Sequence, residues 1–108
     1  FFEKYDLLIT PAASVEPFNH EEEYPKIIDG IEMENYLKWE AISYGVTLFG
    51  GPSIVIPCGS IGTNMPYGIQ LISKKNSDLN LIDIAYTLEN KFKEISSFQE
   101  INKLNNYL

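Results

Sequence analysis

Thirty-three consecutive residues, 41–73, contain no Asp, Glu, Lys, Arg or His, in a chain of 108 residues of which 21% are charged. A membrane-spanning helix does not explain the run. Gly45, Gly50, Gly51, Pro52, Pro57, Gly59, Gly62 and Pro66 interrupt every apolar window well short of about 18 residues. A solvent-facing loop of this length collects charges, so the run points to deep burial. It predicts two strands, and an earlier apolar run predicts a third. Three strands cannot be covered on both faces by only two good helices, and their sheet edges need partners. The segment is therefore expected inside a larger sheet, covered by protein beyond this chain. A self-sufficient three-stranded domain with a greasy core is the alternative.

The elements follow from pattern. Residues 5–10 carry the unalternated apolar run Leu7-Leu8-Ile9 before Pro11, which suits a strand buried on both faces. Residues 11–31 hold Pro11, Pro17, Pro25, Gly30 and the triplet Glu21-Glu22-Glu23, and read as a long solvated loop. A helix is predicted over 32–49, with Met33, Tyr36, Leu37, Tyr44 and Leu48 on one side. Gly50-Gly51 and Pro52 end it. Strands follow over 53–57 and 67–73, joined by a turn-rich connection. Ser77 or Asp78 caps the clearest amphipathic helix, with the stripe Leu81, Ile84, Ala85, Leu88 and Phe92. The strand–helix–strand order favours a parallel pair, and the nine-residue connection after Pro57 favours an antiparallel return. The fold class is α/β, a mixed sheet with flanking helices. A polar tail over 93–108 carries a weak helical stripe at Ile95, Phe98, Ile101 and Leu104.

Composition narrows the function. The formal charge of −7 repels phosphate backbones, so nucleic acid and anionic membrane are poor partners. One cysteine allows no intrachain disulfide, which fits a cytoplasmic location. The opening Phe1-Phe2-Glu3 shows no signal peptide, and the missing initiator Met has two readings, a removed tag or a piece of a longer protein. His20 is the sole histidine, so no histidine metal cluster forms, and it is expected exposed. Cys58 is expected to be an inert buried thiol. No glycine-rich nucleotide loop or zinc spacing is present.

One residue resists the pattern. Glu40 lies in the apolar helix stripe between Tyr36 and Tyr44. Either the helix rotates so that Glu40 reaches solvent, or Glu40 is a polar anchor in a pocket of Tyr36, Tyr44 and Trp39.

Four segments, in order, then carry a resemblance. Tyr5-Asp6-Leu7-Leu8-Ile9-Thr10-Pro11 resembles the "YDLLLTPT" strand of the amidase signature family. Leu48-Phe49-Gly50-Gly51-Pro52-Ser53-Ile54-Val55-Ile56-Pro57-Cys58-Gly59 resembles its "LAGLPAISVPCG" segment, with Gly51 where Leu is common. Met65-Pro66-Tyr67-Gly68-Ile69-Gln70-Leu71-Ile72-Ser73 resembles "LPIGLQLIG", and residues 79–90 match the "ATLLRVAYAYE" helix in position and type. The resemblance implies that residues 1–92 are the C-terminal part of an amidase-like domain, within a larger α/β/α sandwich with a mixed central sheet. It implies an amide hydrolase whose serine nucleophile, second serine and lysine lie upstream, with no cofactor or metal. No residue here matches those catalytic groups. This part supplies scaffold and pocket wall, with Glu40, Tyr36 and Tyr44 facing a small amide substrate. Glutamine-using relatives often carry an acid at the position of Glu40, where it can face the substrate's amino group. The expected partners are the remainder of the amidase polypeptide and, through an open sheet edge, a second copy of the chain. The rival readings are a small non-catalytic α/β binding module and a degenerate scaffolding relative.

Overall fold

The computed structural model describes residues 1–61 and 65–95. Its main sheet has three strands: β1 (Leu8–Pro11), β4 (Ser53–Ile61) and β5 (Met65–Ile72), in the order β1-β5-β4. Both ladders are antiparallel, with Ile9 opposite Leu71 and Ile54 opposite Leu71 from the other side. The strand–helix–strand order does place β1 and β4 in the same direction, but as next-but-one neighbours. The last strand in the chain, β5, fills the place between them, paired antiparallel to both.

β4 continues past Pro57 to Ile61, beyond the end expected from sequence. A bulge between Pro57 and Gly59 accommodates one extra residue, Cys58, and lets pairing resume. Pro57 is tolerated for a local reason. Gly68, its partner, accepts from Ala12 N–H at 3.0 Å and so turns its polar groups toward β1. In the alternating antiparallel pattern, Pro57 then turns its nitrogen to the free edge, where the missing N–H costs no ladder bond.

Helix α3 (Asp78–Lys93) lies against one face of β4 and β5. Leu81 and Ala85 meet Ile56 and Leu71 in the buried core, joined by Leu7, Ile54, Ile69, Leu88 and Phe92. Each fully buried aliphatic side chain contributes about 1.5–3 kcal/mol. The core is small because neither face of the sheet is fully covered: Ile9, on the α3 face at the β1 edge, is 53% exposed, and Val55, on the opposite face, is 55% exposed. Ser77 sits at the expected start of α3, yet its hydroxyl makes no cap bond. It donates instead to Ser73 Oγ at 2.8 Å. Lys91 and Lys93 in the last turn complement the helix dipole.

Two features depart from the sequence expectation. Within the long loop, β2 (Ile27–Ile28) and β3 (Ile31–Glu32) form a hairpin. Asp29 and Gly30 adopt φ of 48° and 74°, the left-handed pair that a two-residue hairpin turn requires. The helix expected over 32–49 is two helices, α1 (Tyr36–Trp39) and α2 (Ala41–Phe49), hinged at Glu40. Asn35 caps α1 by accepting from Lys38 N–H at 3.1 Å. Gly50, at φ 67°, closes α2 with its N–H on the Val46 and Thr47 carbonyls, as the Gly-Gly-Pro sequence predicts. No helix among the described residues is long and apolar enough to cross a membrane. Residues 96–108, with the expected helical stripe at Phe98, Ile101 and Leu104, lie outside the described residues.

Candidate functional site

The residue that breaks the amphipathic pattern is the residue at which the helix breaks. Glu40 has φ −82° and ψ 2°, the bridge region between helix and strand. It is at once the C-cap of α1 and the N-cap of α2. Its carbonyl accepts from Ser43 N–H at 2.8 Å and Tyr44 N–H at 3.2 Å, opening α2. The carbonyl of Trp39 is taken by the Ser14 hydroxyl at 3.0 Å, which ties the loop after β1 to this junction.

The Glu40 side chain is held from within α1. Tyr36 donates its hydroxyl to Glu40 Oε1 at 2.9 Å. That hydrogen bond raises the phenol above its ordinary range, reinforced by the negative charge of Glu40 and, more weakly, by slight desolvation and Glu23. A phenol that must donate to a carboxylate resists deprotonation. Glu40 is half-buried, whereas the Tyr36 and Tyr44 rings are exposed. Of the expected site residues, Tyr36 and Glu40 are therefore together. Tyr44 stands one turn along α2 and meets Glu40 through the backbone.

Trp39 turns the other way. Its ring packs edge-on against Phe18 at 5.6 Å and Tyr36 at 5.8 Å, and Tyr24 stacks edge-on against Tyr36. This aromatic chain pins the loop onto α1. Trp39 then helps line an open cavity of about 550 Å³ between residues 11–18 and residues 65–68. Sequence reading missed this cavity, because its walls lie some fifty positions apart and meet only through the β1–β5 ladder. Among the described residues, the Trp39 indole N–H and the Thr10 hydroxyl are buried without a hydrogen-bond partner. A second recess of about 360 Å³, lined by Phe1, Phe2, Leu8, Val46, Phe49 and Ile72 with Gly45, lies under α2.

Other candidates are placed plainly. His20 is exposed in its loop. Cys58 is half-buried in the bulge, and burial pushes its thiol up from the ordinary value. A raised thiol pKa leaves less thiolate at a given pH. Cys58 is thus expected to react with iodoacetamide at pH 8 more slowly in the folded chain than in denaturant, read by mass spectrometry. Equal rates would contradict that burial. Among the described residues no group of three His, Cys, Asp or Glu side chains could hold a metal ion.

Comparison with known proteins finds relatives by sequence. The amidase family profile matches residues 1–82. The chain is 36% identical over 103 residues to a glutamyl-tRNA(Gln) amidotransferase subunit of Alkaliphilus metalliredigens, covering 93% of this chain and 20% of that protein. It is 40% identical over 88 residues to the subunit of the same name from Desulforamulus reducens, covering 82% of this chain and 17% of that protein. A rice relative, the chloroplastic/mitochondrial glutamyl-tRNA(Gln) amidotransferase subunit of Oryza sativa subsp. indica, is 31% identical over 97 residues, covering 87% of this chain and 17% of that protein. The chain thus spans about a fifth of the length of the curated relatives it matches. No solved structure matches.

Proposed function

Because this chain belongs to the amidase signature family, we propose that it is the C-terminal part of an amide-cleaving enzyme that takes ammonia from glutamine. The observation that carries this reading is the Tyr36–Glu40 hydrogen bond at the α1–α2 hinge. It supports a fixed carboxylate on the wall of a substrate site. In that role Glu40 faces the ammonium of glutamine. Tyr36 occupies one carboxylate oxygen and so sets the direction of the other. Tyr44, one turn on, presents an aromatic flank.

The reacting groups come from the rest of the polypeptide. A serine there takes the acyl group from the amide as ammonia leaves, and water then releases the acid. The present chain contributes position and charge. An ion pair in a partly dry site orients a substrate more than it lowers the chemical barrier. Loss of Glu40 is therefore read in binding.

The test uses the complete polypeptide and ammonia release from glutamine. Glu40→Ala is expected to raise KM for glutamine about 10- to 100-fold with kcat little changed, the scale of one charged hydrogen bond. An unchanged KM would remove Glu40 from the wall. The 108-residue chain alone is expected to release no ammonia above the buffer rate, and turnover by it would overturn the division of labour. A complete polypeptide that cleaves no amide would favour the scaffolding relative.

A further inference from the structure

We infer that Phe49 and Gly51 act as one coupled unit that sets the seat of α2 on the sheet, and with it the position of the Glu40 hinge. The significance of that position for substrate rests on the function proposed above. The coupling itself rests on geometry. Gly51 has no positive φ, so its backbone does not demand glycine; the space around it does. A Cβ built at 51 would clash with Cε1 of the Phe49 ring, and would lie 2.8 Å from its Cδ1 and 2.5 Å from the Ser73 carbonyl oxygen.

The Ser73 carbonyl is fixed in place, and the Phe49 ring, 39% exposed, is braced on one side. Ser73 is 1% exposed. Its N–H donates to the Pro52 carbonyl at 3.1 Å, and its hydroxyl donates to the Asp6 carbonyl at 3.3 Å while accepting from Ser77. The Phe49 ring leans on Phe2 at 5.3 Å between centroids and walls the recess under α2. The turn after α2 is thus drawn directly against the exit of β5, and the ring fills the room beside it.

A side chain at 51 needs the turn farther from Ser73, and the ring at 49 blocks that retreat. Removing the ring opens it. Because α2 is a short rigid rod from Ala41 to Phe49, a shift at its Gly51 end is felt at its Glu40 end.

Trp39 reports that shift. It is the sole tryptophan of this chain and immediately precedes Glu40. The complete polypeptide is labelled with 5-fluorotryptophan, and the Trp39 resonance is assigned by its loss in Trp39→Phe. Gly51→Leu is expected to displace this resonance and to lower the temperature at which it is lost by about 2–6 °C, the scale of an overpacked site in a large polypeptide. Adding Phe49→Ala to Gly51→Leu is expected to return the resonance toward its original position and to recover at least half of the lost temperature. Gly51→Ala, a milder intrusion, gives the same signs should the leucine variant not fold. Additive effects of the two substitutions, or a Trp39 resonance unmoved by both Gly51 variants, would overturn the coupling. Neither readout passes through amide turnover, so an inactive polypeptide would sink the proposed function alone.

Discussion

Replacing Leu71 by alanine is expected to cost about 2–5 kcal/mol, a large part of the roughly 5–15 kcal/mol that holds a typical domain together. Leu71 is completely buried and stands in the stretch of β5 that is paired on both sides, opposite Ile9 on β1 and Ile54 on β4. Its side chain joins the core under Leu81 and Ala85 of α3. Truncation leaves a hole that three elements would have to close at once, and β5 has a strand on each side that prevents its collapse. Chemical denaturation followed by circular dichroism gives the loss directly. A loss under about 1 kcal/mol would mean that the core is elsewhere. Leu48, 80% exposed, offers the control within the same charge-free run, since its truncation removes almost no buried contact.

The second large effect depends on context. Val55 lies on β4, on the face turned away from α3, and is 55% exposed. Val55→Asp is expected to change the stability of the isolated chain by no more than about 0.5 kcal/mol. In the complete polypeptide the same change is expected to cost about 3–5 kcal/mol, the scale of an uncompensated buried charge, on the expectation from the charge-free run that a larger sheet covers that face. The contrast between the two backgrounds is the measurement, read by thermal unfolding of each. Equal tolerance in both would mean that this face meets water in the whole protein, and the expectation drawn from the charge-free run would fall.

Much of the fold was legible because each signal was local. Gly50 closes α2 where the Gly-Gly-Pro sequence places the stop. The stripe of α3 needed only its own spacing to identify Leu81 and Ala85 as core. The hairpin of β2 and β3 also had a local signal, Asp29-Gly30 between two isoleucine-bearing pairs, which the surrounding prolines and acidic residues obscured. The antiparallel return of β5 on β4 was legible from the short connection after Pro57, whereas its second pairing, with β1, was not, since that partner is far off in sequence and leaves no mark on the strand's own residues. At the site, the spacing of Tyr36 and Glu40 by four residues made their meeting readable on a helix. The hinge itself was visible only as an anomaly, a carboxylate on an apolar stripe, whose resolution came from the Ser14 hydroxyl bonding the carbonyl just before it. The packing of Gly51 against Ser73 could not be read, because it joins two turns that only the assembled sheet brings together.

The strand order has a consequence for synthesis. β1 and β4 are flanking strands without contact through each other's ladders, and the strand that unites them is translated after both. Asp6 and Ser73, hydrogen-bonded in the finished molecule, are 67 positions apart. A nascent chain therefore carries two unsatisfied strand edges from the ribosome until Ile72 has cleared the exit tunnel. Pairings this distant in sequence form slowly, and a chain stalled short of Met65 has no way to close its sheet. Such a product presents bare strand edges to chaperones and to other nascent chains.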